Sequence, residues 1–95
     1  AHSLASGESL HVTLYWQAPS PLPTDWPADL TFTLSLGGAQ ISAPLAGAGF
    51  PTGAWQAGDF VRGDVDLLYR GDGPLVLSID GREIPLARLV NGQVR

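Results

Sequence analysis

Leu30-Thr31-Phe32-Thr33-Leu34-Ser35-Leu36-Gly37-Gly38-Ala39-Gln40-Ile41-Ser42-Ala43-Pro44 reads as a complete β-hairpin. Leu30, Phe32, Leu34 and Leu36 alternate with Thr31, Thr33 and Ser35, and a period of two puts all four apolar side chains on one face of a strand. Burying four such groups contributes on the order of 6–12 kcal/mol before chain entropy is counted, so this face belongs to a core. Gly37-Gly38 suits a two-residue hairpin turn, Ala39, Ile41 and Ala43 continue the alternation on a returning strand, and Pro44 ends it. A sheet with one apolar face needs a second layer to cover it.

The same period recurs on both sides. Upstream, Leu10, Val12, Leu14 and Trp16 alternate with His11, Thr13 and Tyr15; Pro19, Pro21, Pro23 and Pro27 then make the following segment a loop. Downstream, Val61, Gly63, Val65, Leu67 and Tyr69 share one parity, and Phe60, Arg62, Asp64, Asp66 and Leu68 the other, where the charges mark the solvent side. Gly71-Asp72-Gly73 is a turn, and Leu75, Leu77 and Ile79 form a strand that returns through Asp80-Gly81, a type I′ hairpin signal, into Arg82–Leu89. On that strand Ile84 and Leu86 take alternate positions, and Pro85, lacking an N–H, marks an edge or a break in the ladder.

These elements predict an all-β fold, an antiparallel β-sandwich of six strands, or seven if Ser3 to Ala5 pairs, of immunoglobulin/fibronectin III-like architecture. One domain spans residues 7–89, with a flexible N-terminus at 1–6 and a frayed C-terminus at 90–95. The chain lacks Met, so it reads as a piece of a longer protein, with Ala1-His2-Ser3 as a foreign remnant.

Composition narrows the partners. The net charge is −4, and the basic residues are five Arg, no two of them adjacent. Counterion release from phosphates needs clustered positive charge, so nucleic acid and anionic membrane surfaces are disfavoured. Cysteine is absent, which excludes disulfides, zinc ribbons and thiol catalysis. No apolar run reaches the roughly 18–20 residues that span a bilayer as a helix, so no direct membrane insertion is expected.

Candidate chemistry is sparse. A metal site needs convergent ligands, whereas His2 lies near the chain end and His11 on an outward strand face. Asp64 and Asp66 share a face at i, i+2, but a strand interior supplies no loop carbonyls for calcium, and a solvated face with Arg62 nearby is the simpler reading. The acids fall in turns or on polar faces, away from the burial that raises a catalytic carboxyl. Gly-x-Ser-x-Gly is absent, and Gly37-Gly38 and Gly47-x-Gly49 precede no helix that could hold a phosphate. The expectation is therefore a protein that is not an enzyme, with no catalytic residues, cofactor or metal.

The aromatics carry what functional signal there is. In Phe50-Pro51-Thr52-Gly53-Ala54-Trp55-Gln56-Ala57-Gly58-Asp59, strand breakers surround one large apolar side chain, which reads as an ordered loop pinned by Trp55 with Gly58 in a turn. Trp16 belongs to the core face, so Trp16, Trp55 and Gly58 are assigned structural roles. Tyr15 and Trp26, at a strand end and in a loop, stand beside Asp25 and Asp29; these four are the candidate ligand-binding residues, in the manner of sandwiches that stack sugar rings on aromatics.

Gly7-Glu8-Ser9-Leu10-His11-Val12-Thr13-Leu14-Tyr15-Trp16, the proline loop, the hairpin and Pro51-Thr52-x-x-Trp55-x-x-Gly58 together resemble the small β-sandwich domain appended to bacterial multi-pass membrane proteins related to protein mannosyltransferases. The resemblance covers roughly residues 7–89. It implies a non-catalytic accessory domain in an extracytoplasmic location, at the cell surface or in the periplasm. Its partner would be the remainder of its own parent polypeptide or another protein domain, with a carbohydrate-binding module and a glycan ligand as the alternative. A monomer is expected.

Overall fold

The computed structural model describes residues 3–94; Ala1, His2 and Arg95 lie outside them, and with them the expectations placed on Ala1 and His2. The strands are β1 (Ser9–Gln17), β2 (Thr31–Leu36), β3 (Ala39–Pro44), β4 (Phe60–Leu68), β5 (Gly73–Ile79), β6 (Arg82–Val90) and β7 (Gln93–Val94), with a short 3₁₀ turn at Thr52–Ala54. All pair antiparallel, in a two-stranded sheet β1-β4 and a five-stranded sheet β3-β2-β5-β6-β7. In immunoglobulin terms β1 and β4 are strands B and E, and β3, β2, β5 and β6 are C′, C, F and G. Strands A and D have no counterpart among the described residues.

The alternating faces meet as their sequences demand. Phe32, Leu34 and Leu36 of β2, Leu75 and Leu77 of β5 and Leu89 of β6 are buried against Val61 and Leu67 of β4. The β1 face of Leu10, Val12, Leu14 and Trp16 is half-buried against the same core, and Trp16 packs on Phe32 at a centroid distance of 5.8 Å. β4 and the segment after β3 lie in close approach at Gly63, where a Cβ would stand 2.0 Å from the carbonyl oxygen of Leu45, the atom that accepts a hydrogen bond from Trp16 Nε1 at 3.0 Å.

Turn chemistry sets the registers. Gly37 has φ +56°, as the first residue of a type II′ hairpin requires, and Leu36 faces Ala39 across it. Asp80 and Gly81 (φ +49° and +76°) form the type I′ turn between β5 and β6.

Two expectations are corrected. The chain end expected to fray is paired instead: Asn91 and Gly92 (φ +53° and +73°) make a second type I′ turn, and β7 returns against Leu89 and Val90. Asp72 holds this turn by accepting the backbone N–H groups of Asn91 (2.7 Å) and Gly92 (2.9 Å) together with Tyr69 Oη (2.5 Å). At the other end Leu4 N–H donates to Gly92 O at 2.9 Å, so Ser3–Ala5 contributes this contact and no strand. The second correction concerns β6, where Ile84 and Leu86 do not share one regular face. The register shifts opposite Leu75/Val76, pairing Val76 with Pro85 and Leu75 with Ala87 and leaving Leu86 as the extra residue of a bulge. A proline cannot donate to the ladder, and the break falls beside it.

Candidate functional site

The proline-rich connection from β1 to β2 is held in place by the crossover before β4, and Thr52 is the joint. It is 1% exposed; its hydroxyl donates to Pro27 O (2.8 Å) and accepts Leu30 N–H (2.9 Å), while its carbonyl accepts Trp26 Nε1 (2.8 Å). Gly53 N–H donates to Ala28 O at 2.7 Å, an approach so close that a Cβ on Gly53 would lie 2.9 Å from that oxygen. Trp55, 4% exposed, donates its Nε1–H to Phe50 O (3.1 Å) and sits between two rings, tilted against Trp26 at 6.2 Å and stacked with Phe50 at 6.1 Å. Gly58 has φ +80° and closes the segment through a bond from its N–H to Pro19 O.

This joint shapes a cavity of about 330 Å³ at one end of the sandwich, lined by Pro23, Asp25, Trp26, Pro27, Leu30 and Asp80. Asp80 comes from the β5–β6 turn, so the cavity lies between the β1–β2 and β5–β6 connections, at the end where sandwich loops cluster. The indole of Trp26 has its N–H committed to Thr52 and offers the cavity its carbon surface, with proline rings beside it and two carboxylates around it. Such walls suit a group with apolar flanks and positive charge, through cation–π attraction and charge pairing.

Of the four candidate ligand residues, the structure brings Asp25 and Trp26 to this cavity and leaves Asp29 and Tyr15 out of its lining. Tyr15 is 74% exposed on the outer face of β1, cross-strand from Arg62 and diagonal to the exposed Phe60. Asp80 and Thr52 carried no site role in the sequence. Asp80 was legible only as a turn residue, and nothing local to Pro51-Thr52 reveals that the Thr52 hydroxyl bonds to Pro27 and Leu30, more than twenty positions earlier.

A second polar constellation occupies the outer face of β1 and β4. His11 Nδ1 is 2.8 Å from Asp66 Oδ1, and its Nε2 is 3.1 Å from Asp64 Oδ1. Thr13 Oγ1 donates to Asp64 (2.7 Å), and Arg62 Nε donates to its other oxygen (3.0 Å). Hydrogen bonds to Asp66 and then Asp64 raise the His11 pKa above 6.5; those from Thr13 and then Arg62 lower Asp64 below 3.8. Each ring nitrogen faces a carboxylate, an arrangement that favours the protonated ring and clips two strands together. Among the described residues no group of three His, Cys, Asp or Glu is arranged to hold a metal ion.

The signs of these shifts make stability depend on pH in both directions. The His11 contribution is full below the unfolded value of 6.5 and is lost as pH rises through the raised folded value. The Asp64 contribution is full above 3.8 and is lost as pH falls through the lowered folded value. Thermal unfolding followed across pH should therefore show greatest support from this cluster between the two unfolded values. His11→Gln is expected to flatten the alkaline limb and leave the acid limb in place.

A wider groove of about 480 Å³ runs between Gly38 of the β2–β3 turn with Ala39–Ile41 of β3 and Asp66–Leu68 of β4, with Arg70 at its end. Among the described residues no helix is long and apolar enough to cross a membrane. No known protein family, curated protein or solved structure matches the chain.

Proposed function

We propose that this chain is a non-catalytic accessory domain, carried outside the cytoplasm by a larger membrane-anchored bacterial protein, that engages a basic side chain of a partner protein at the Trp26 cavity. The observation that carries this reading is the convergence of Trp26, Asp25 and Asp80 from two separate connections onto one cavity fixed by Thr52. Two carboxylates beside an aromatic surface and prolines form a recess for an alkylammonium or guanidinium group. The titratable groups with shifted pKa values are already engaged with neighbours, which supports recognition over reaction. The extracytoplasmic setting in this proposal rests on the sequence resemblance of residues 7–89 alone.

A second reading, carbohydrate binding, is favoured by one feature, the shared position of Trp26 and Asp25 at the cavity. The two separate in a chemical-shift titration with N-acetyl-arginine methylamide, N-acetyl-lysine methylamide and a panel of neutral oligosaccharides. The first reading expects shifts at the Trp26 indole N–H with the cationic probes, abolished by Asp25→Asn combined with Asp80→Asn and weakened by salt. Response to sugars alone transfers the site to the second reading. Silence toward both at millimolar ligand overturns the cavity's role.

A further inference from the structure

The strand edges of this molecule are unequally defended. β3 is six residues long and ends at Pro44; β6 carries Pro85, the Leu86 bulge and the charged Arg82, Glu83 and Arg88; β4 lines the groove against β3 with its charged Asp66 and the nearby Arg70. Charge, proline, bulges and short length are the devices that keep sheet edges from pairing with other chains. β1 has none of them beyond His11, whose ring is held by Asp64 and Asp66 of β4. Its nine residues contain no Pro, Gly, Lys or Arg, and among the described residues its only strand neighbour is β4, its other edge lying where an A strand would stand.

The orientation of that edge can be derived. The β1-β4 register is continued at both ends by backbone bonds, Ala18 N–H to Asp59 O and Tyr69 N–H to Glu8 O, each 2.8 Å. Backbone groups in an antiparallel ladder alternate in direction, so even-numbered residues of β1 turn theirs toward β4. Ser9, His11, Thr13, Tyr15 and Gln17 therefore turn their N–H and C=O groups toward the free edge.

We infer that β1 is a self-pairing edge, and that two copies of this chain join antiparallel about a two-fold axis at Thr13 to form a continuous sheet β4-β1-β1-β4. In this register Thr13 faces Thr13, His11 faces Tyr15 and Ser9 faces Gln17 of the second copy, all as hydrogen-bonded pairs. On the inner face Val12 meets Leu14 and Leu10 meets Trp16. Apolar groups meet apolar ones, polar groups meet polar ones, and no like charges stand directly opposite, which is the condition for a favourable cross-strand joint. A two-fold contact must be complementary to itself, and β1 centred on Thr13 satisfies that requirement. The edge also points toward uncovered apolar surface. β4 contacts β3, so the free side of β1 faces the β6 half of the larger sheet, where Ile84, on the same face as Leu77, remains 43% exposed. This contact is independent of what the Trp26 cavity binds.

Sedimentation equilibrium over the micromolar to millimolar range should show a monomer–dimer equilibrium. Thr13→Lys, which sets two ammonium groups across the axis, should raise the dissociation constant about 100-fold or more. Leu86→Lys on the β6 edge should leave it unchanged. Amide exchange supplies a parity signature: protection of His11, Thr13 and Tyr15 rises with protein concentration, while that of Val12 and Leu14 does not. Should Thr13→Lys fail to fold by circular dichroism, Tyr15→Lys replaces it, since that side chain is largely in solvent and would face His11 across the joint. A chain that stays monomeric at millimolar concentration, or a dimer indifferent to the substitution and lacking the exchange parity, overturns the inference.

Discussion

Trp55→Ala is expected to destabilise the protein by about 3–5 kcal/mol, the usual cost of deleting a large buried aromatic. Domains of this kind hold only about 5–15 kcal/mol in total, so the variant should approach the folding threshold at physiological temperature. The loss has identifiable parts: the packing of an indole that is 4% exposed, its ring contacts with Trp26 and Phe50, and the bond to Phe50 O. Urea denaturation followed by circular dichroism measures the total. Trp55→Phe retains most of the ring area and loses the N–H, so it should cost about 1 kcal/mol for the hydrogen bond plus a smaller packing loss. A Trp55→Ala effect below about 1 kcal/mol, within the range of ordinary surface changes, would show that the crossover is not fastened by this ring.

Gly63→Ala should be nearly as damaging although it adds one carbon. The new Cβ would meet Leu45 O at 2.0 Å and Trp16 Nε1 at 3.3 Å, and the first obstacle is backbone, which cannot rotate out of the way. Relief requires β4 to move away from the segment after β3, and overpacking of this kind costs about 3 kcal/mol or more. The same movement strains the Trp16 hydrogen bond, so a shift in tryptophan emission should accompany the fall in denaturation midpoint. An unchanged midpoint would mean that β4 and the segment after β3 separate at this point with little cost.

How far the molecule could be read from its sequence follows the range of the interactions. β1, β2 and β4 declare themselves because each alternates over six or more residues, and Asp80-Gly81 announces its turn because a type I′ geometry needs two residues that tolerate positive φ. Asn91-Gly92 carries the same signal; its flanking strand β7 is two residues long, too short to show a period, and what holds it is Asp72, nineteen positions earlier. Pro85 marked an edge or a break, yet which residue bulges depends on how β5 aligns with it. The candidate site divides in the same way. Asp25 and Trp26 stand out by local context, whereas Asp80 joins them only because β5 ends beside the β1–β2 connection. The His11 clip was hidden for a related reason: its residues are separated by more than fifty positions and meet through register alone.

The bond from Leu4 N–H to Gly92 O brings the beginning and the end of the described chain to one point. β1 leaves that point and reaches the proline-rich connection nine residues later, a run of about 30 Å, so the Trp26 cavity lies at the far pole. Whatever is seated in the recess therefore stands about 30 Å from the Leu4–Gly92 bond, so a change at one pole reaches the other only through the length of the β1-β4 ladder.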